Sequence, residues 1–200
     1  MKIHAYIFDQ DGTLYPKNHP LTLALRYSTK EWIKKSLNIS QNDVDRIYSE
    51  LPLKYPHPYL GFESLGLSAK DYVFNTFNNT NPEPYLSRNK QLISILSSIK
   101  SPKFVVTLAS ISYSLALQNK LGINNLIDKT FSVTSLERPY SKKAIYSTIC
   151  ESVGAEPSTV MVIGDSYEID IVPAIELGMQ HKHLSNENIV DVLKDIQLKH

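Results

Sequence analysis

Short apolar runs that alternate with helical patterns leave this chain few architectures. Residues 3–8 end in "AYIF", and "KFVVTLA" (103–109), "KTFSVTS" (129–135) and "TVMVIGDS" (159–166) read as further strands. "MQHKHLS" (179–185) reads as an edge strand. Between them, "NKQLISILSSIK" repeats Leu92, Ile95, Leu96 and Ile99 at helical spacing. "SYSLALQNKLG" and "SKKAIYSTICESVG" are helices closed by Gly122 and Gly154, and "PAIELG" and "NENIVDVLKDIQ" supply two more. Strands alternating with helices predict an α/β fold of three layers, a parallel sheet covered on both faces.

The alternation breaks once. After the first strand come about 70 residues of mostly helical pattern, rich in aromatics. "LTLALRYSTKEWIKKSLNI" predicts one or two amphipathic helices, "SQNDVDRIYSEL" a helix capped by Ser40, and "LSAKDYVFNTFNN" a helix capped by Ser68. The proline-rich "LPLKYPHPYLGF" (51–62) reads as a loop or a broken connection. The division expected is a core of residues 1–15 and 87–200, with a helical insertion over 16–86.

Composition removes several function classes. The 200 residues carry 21 Lys+Arg against 20 Asp+Glu, a formal charge of +1. No electrostatic case arises for a nucleic acid polymer or a membrane surface. No apolar run approaches the roughly 20 residues of a spanning helix, and Asp9 interrupts the first one too early for a signal segment. Cys150 is the single cysteine, which excludes an internal disulfide and points to a reducing, cytoplasmic setting. It sits by an apolar helix stripe and reads as core. "HKH" at 181–183 reads as an exposed strand end.

The chemistry gathers at the carboxyl ends of the strands, where open α/β sheets bind ligands. "AYIFDQDGTLYP" ends its apolar run in Asp9 and Asp11, with Gly12 next, and "TVMVIGDS" ends in Asp165 with Asp170 beyond. If strand alternation continued, Asp9 and Asp11 would face one way about 7 Å apart or closer and repel each other. A hard divalent cation relieves this, and Mg²⁺ takes a few carboxylates plus water and phosphate oxygens. Thr107, a downstream lysine and free amides in tight turns suit a phosphate. An EF-hand would need Gly and Glu where Leu14 and Pro20 stand, so that reading fails.

"FDQDGTLYP", "VVTLAS", a downstream lysine and "VIGDSYEIDIVPAIELGM" resemble the four ordered motifs of the haloacid dehalogenase (HAD) superfamily of phosphohydrolases. The insertion resembles that superfamily's helical C1 cap. "DGTLYP" and "PYLSRNKQLISIL" are similar to its pyrimidine 5′-nucleotidase-like branch. The resemblance implies a Rossmann-like core and a Mg²⁺-dependent phosphatase acting on a small phosphorylated metabolite. It implies Asp9 as nucleophile, Asp11 as general acid and base, and Thr107 as phosphate ligand. A lysine would neutralise charge, Asp170 would orient that lysine or a metal-bound water, and Asp9, the Asp11 carbonyl and Asp165 would hold Mg²⁺. Two positions depart from the pattern. Leu108 replaces the usual Asn after Thr107, and Arg138 stands where a Lys-Pro pair is expected, so Arg138, Lys142 and Lys143 compete for the cation role. Lys142 shares a helix face with Ile145 and Ile149, the inward side, whereas Lys143 lies with Ser147 and Glu151. Lys142 is preferred. A phosphomutase with the same nucleophile, a phospho-accepting regulatory module and a binding protein without turnover are the alternatives. Dehalogenation is disfavoured, because Asp11 would have no leaving oxygen to protonate.

Overall fold

The structure is a computed structural model that describes residues 2–135 and 140–199. Seven strands are described: β1 (Ala5–Phe8), β2 (Asp11–Gly12), β3 (Tyr15–Pro16), β4 (Lys103–Thr107), β5 (Lys129–Ser132), β6 (Val160–Gly164) and β7 (Gln180–His183). Five of them form one parallel sheet in the order β5-β4-β1-β6-β7. Every residue of β1, β4 and β6 is buried, while β5 and β7 are partly exposed. Central strands of a doubly covered sheet need apolar side chains on both faces, which explains the unbroken runs "AYIF" and "VMVI".

Register aligns the strand ends. Phe8 lies opposite Val105 of β4 and Ile163 of β6, which brings Asp9, Thr107 and Asp165 to one edge. The chain leaves β1 towards β4 and β5, then returns to β6 on the other side. The crevice between β1 and β6 is therefore the switch point of this sheet.

Nine α-helices are described: α1 (Pro20–Leu37), α2 (Gln41–Lys54), α3 (Pro58–Ser64), α4 (Ala69–Val73), α5 (Lys90–Ser98), α6 (Ile111–Leu121), α7 (Lys142–Val153), α8 (Val172–Glu176) and α9 (Ile189–Lys199). No described helix is long and apolar enough to cross a membrane. Ser40 caps α2 and Ser68 caps α4 through their side chains, as their sequence positions predict. The stretch 51–62 is the broken connection rather than a continuous loop, with a break at 55–57 between α2 and α3. Pro52 lies in the last turn of α2, and Pro58 opens α3, where a missing N–H costs nothing. Trp32, Ile33, Val44 and Phe62 form a small buried cluster among α1 to α3. Leu21, Leu25, Tyr59, Val73 and Phe77 belong instead to the main core, so the helical segment is packed onto the sheet domain.

His57 lies at this junction. Its Nδ1 accepts from the Tyr59 N–H at 3.3 Å, capping α3, and its ring packs on Tyr59 and Tyr140 with centroids 5.0 and 5.9 Å away. Burial, followed by the positive charge of Lys142, lowers its pKa to about 4. The folded state thus disfavours the imidazolium, and an unfolded histidine binds its proton near pH 6.5. Its stabilising contribution is complete above pH 6.5 and is lost as pH falls towards 4. His57→Asn keeps a capping side chain and removes the titration. Between pH 6.5 and 4 the wild-type melting temperature should fall more steeply than that of the variant; parallel slopes would reject the assignment.

Candidate active site

Asp9 follows β1 directly, and its N–H donates to the Ile163 carbonyl at 2.9 Å. Its Oδ1 accepts from Lys142 Nζ at 2.7 Å, and its Oδ2 accepts from the Thr13 hydroxyl at 3.0 Å. Lys142 opens α7 and is 1% exposed, on the inward face that its spacing predicts. The same Nζ donates to Asp170 Oδ1 at 2.7 Å and to the Val106 carbonyl at 2.6 Å. An ammonium has three donors, so all three are used. Burial drives Lys142 towards its neutral form, but the charges of Asp170 and Asp9 outweigh it and hold its pKa well above the ordinary lysine value. Lys143 is surface-exposed and pairs with Glu176 at 2.8 Å. Arg138 lies outside the described residues.

Asp11 is held separately. β1 stops at Phe8, so Asp9 and Asp11 lie beyond it, and the repulsion expected between the two carboxylates is present. Asp11 Oδ1 accepts from the Tyr15 hydroxyl at 2.6 Å and the Tyr113 hydroxyl at 3.3 Å, and Oδ2 accepts from Gln10 Nε2 at 3.2 Å. Burial pushes its pKa up to about 6 against the lowering effect of the Tyr15 hydrogen bond, and the Asp9 charge adds to the rise. A carboxyl group so tuned can both give and take a proton near neutral pH.

Asp165 follows β6. Its Oδ2 pairs with Lys17 Nζ at 2.8 Å, and its main-chain carbonyl accepts from the same Nζ at 3.2 Å. His183 Nε2 lies 3.1 Å from that carbonyl, so the "HKH" segment reaches the site through its last residue. Burial, followed by the Asp9 charge, raises the Asp165 pKa. Burial and Asp9 likewise raise that of Asp170 to about 7, beyond what Lys142 offsets.

One oxygen each of Asp9, Asp165 and Asp170 lie within 4.8 Å of one another. Asp170 has both oxygens committed, one to Lys142 and one to the Ser166 N–H at 3.0 Å. Asp9 is likewise engaged through both oxygens, by Lys142 and Thr13. Gly12 makes room for this arrangement: its φ is +94°, and a Cβ there would sit 2.7 Å from Asp165 Oδ2. Four carboxylates here face two ammonium groups, and the raised carboxyl pKa values reflect that excess together with burial. The donor set and its charge fit a hard divalent cation.

Thr107 ends β4 and is buried, its Oγ1 accepting from the Ala109 N–H at 3.0 Å. The hydroxyl proton is left for a ligand. Leu108 packs its side chain against the main core, and its carbonyl accepts from the Tyr59 hydroxyl of α3. The position thus serves through its backbone, tied to the helical segment. Sequence reading passed over Thr13, Lys17 and Tyr113, and it read His183 as part of an exposed strand end. Only Thr13 and Lys17 carry a local signal, by nearness to Asp9; the others arrive through tertiary packing. Cys150 is buried, as its helix position predicts.

Comparison with known proteins agrees with this geometry. The family model for haloacid dehalogenase-like hydrolases matches residues 3–178. No curated protein sequence matches the chain. A predicted phosphoglycolate phosphatase from Haemophilus somnus has 18% identity and a TM-score of 0.65, covering 98% of this chain and 99% of its own. A haloacid dehalogenase-like family protein from Streptococcus pneumoniae has 18% identity and a TM-score of 0.64, over 96% and 90% of the two chains. A HAD phosphatase from Thermococcus onnurineus has 19% identity and a TM-score of 0.58, over 98% of each. These likenesses establish the three-layer Rossmann-like fold. They do not single out the pyrimidine 5′-nucleotidase-like branch. With a sheet of this order, carboxylates at the ends of its two central strands and a family match over most of its length, the chain belongs to the haloacid dehalogenase-like hydrolases.

Proposed function

We propose that this hydrolase is a Mg²⁺-dependent phosphatase that cleaves small phosphomonoesters through an aspartyl-phosphate. The observation that carries the reading is the pairing of two unlike carboxyl groups. Asp9 pairs with a buried ammonium at 2.7 Å, while Asp11, two residues on, has a pKa raised to about 6. One acts as nucleophile and the other as acid and base, roles that need environments of opposite kinds.

A carboxylate oxygen of Asp9 attacks phosphorus, and the ester oxygen leaves with the proton of Asp11. Asp11, now ionised, takes a proton from the water that attacks the phosphorylated Asp9, and phosphate departs with both residues restored. Lys142 has no donor to spare, so its part is to neutralise Asp9 before and after phosphorylation. Asp170 holds that ammonium in place. Thr107 and the turn after it receive phosphoryl oxygens. Asp9, Asp165 and the Asp11 carbonyl would hold Mg²⁺, which supplies charge neutralisation at the phosphoryl group and at the attacking carboxylate. Dehalogenation would leave the proton of Asp11 without an acceptor. Residues 16–86 serve as the cap: they follow the catalytic carboxylates directly and reach back over the site through Lys17 and Tyr59.

The test is phosphate release from a phosphometabolite panel with and without Mg²⁺. Turnover should vanish in excess EDTA and return with Mg²⁺. Asp165→Ala should need far more metal for the same rate, about tenfold or beyond. Undiminished turnover in EDTA would remove the metal from the reading.

A further inference from the structure

A cavity of about 460 Å³ opens between α1, α2, α3 and the loop after β6. That volume is within the usual range for a small-molecule site. At one end stands Asp165, whose carboxylate oxygen lies within 4.8 Å of one of Asp9. The cavity therefore begins beside the nucleophile. Its walls include the rings of Tyr48, Tyr55, Phe62 and Tyr72, and Arg26 of α1 also lines it.

Lys17 is already engaged with Asp165, and Lys30, which lies over the Tyr48 ring, is engaged with Asp45 at 2.7 Å. Arg26 has no carboxylate or hydrogen-bond partner among the described residues, and neither has the Tyr48 hydroxyl. Both groups line this one cavity. Apart from Asp165, no carboxylate among the described residues lines it. Flat aromatic walls suit a ring, and a free guanidinium and a phenol hydroxyl on the same cavity suit an anion.

From this arrangement we infer that the leaving group is a ring-bearing alcohol with a second anionic group, a carboxylate or a second phosphate. The ring lies between the tyrosines and Phe62, and the anion meets Arg26 and Tyr48. Arg26 is then a specificity residue, remote from the reacting atoms. The inference rests on the phosphatase reading for its near end, where the phosphoryl group sits.

The test compares benzyl phosphate, 4-carboxybenzyl phosphate, 4-phosphonobenzyl phosphate, 4-(aminomethyl)benzyl phosphate and ethyl phosphate. Benzylic leaving oxygens keep the chemistry alike across the ring series. Wild-type kcat/KM should be about tenfold or more higher for an anionic ring than for benzyl phosphate, the size of one charge-assisted contact. The aminomethyl compound should be the poorest ring substrate, and ethyl phosphate should fall below benzyl phosphate. Arg26→Gln should bring the ratio of anionic to neutral ring near one, and Arg26→Lys should restore part of it. The carboxylate and phosphonate arms decide which anion is preferred. A wild type that favours ethyl phosphate, or a ratio unmoved in Arg26→Gln, would overturn the inference. Calorimetric binding of benzylphosphonate and 4-carboxybenzylphosphonate separates the two readings. Charge-selective binding lost in Arg26→Gln, without turnover of any ester, would sustain the subsite and remove the phosphatase. Equal binding of the two phosphonates would remove the subsite.

Discussion

Asp9→Asn is expected to abolish phosphate release, with a loss of about 10⁴-fold or more, the scale seen when an enzyme's nucleophile is removed. The amide is nearly the same shape; its oxygen can accept from Lys142 while its NH2 donates to the Thr13 hydroxyl, so the fold has no steric reason to fail. What changes is chemistry: a neutral amide oxygen is a poor nucleophile for phosphorus, and one of the charges that attracts the metal is gone. The substitution should also relax its neighbours. Asp9 raises the pKa of Asp11, Asp165 and Asp170, so its loss lets each ionise more readily. The melting temperature should accordingly stay within a few degrees of wild type while activity disappears. Measuring both separates a lost nucleophile from a lost fold. Activity retained on any phosphomonoester would end the aspartyl-phosphate mechanism.

The sequence showed the sheet because its central strands must be apolar on both faces, and such runs are visible without a partner. It did not show that Pro52 and Pro58 lie in helices. Proline punctuation reads as a break, yet the first turn of α3 needs no N–H from Pro58, and α2 tolerates Pro52 near its end. The inward position of Lys142 was legible from its spacing with Ile145 and Ile149, since a helix face records which side meets the core. The partners that hold Asp11 were not. Tyr113, 102 positions from Asp11, had no local signal at all. Its hydroxyl reaches Asp11 only because α6 packs over the strand ends.

The remaining large effect concerns Lys142. Lys142→Ala should cost both activity and stability, whereas Lys143→Ala should cost little of either. Lys142 ties together two buried carboxylates and the Val106 carbonyl in a place closed to water. Its removal leaves Asp9 and Asp170 facing each other without a cation, and breaking one side of a buried ion pair costs about 3–5 kcal/mol. For a chain of this size that is a fall of roughly 10 °C or more in melting temperature. Protonation of Asp170, already raised to about 7, offers a partial escape, so the loss should be smaller below pH 7. The sign follows from linkage. Lys142 holds the Asp170 pKa down, so without it that pKa stands above 7. Stability relative to wild type therefore improves as pH falls towards 7 and levels off below it, where both folded states carry the proton. Activity does not share that rescue, because protonated Asp170 supplies no positive charge to Asp9 or to its phosphorylated form. Lys143 pairs with Glu176 on the surface, where such a pair contributes about 0–1 kcal/mol. Thermal melts and phosphate release for both variants, at pH 5.5 and 7.5, check the argument. A Lys143→Ala variant worse than Lys142→Ala in turnover would place the essential cation elsewhere. A Lys142→Ala variant equally unstable at both pH values would remove Asp170 as the group that answers its loss.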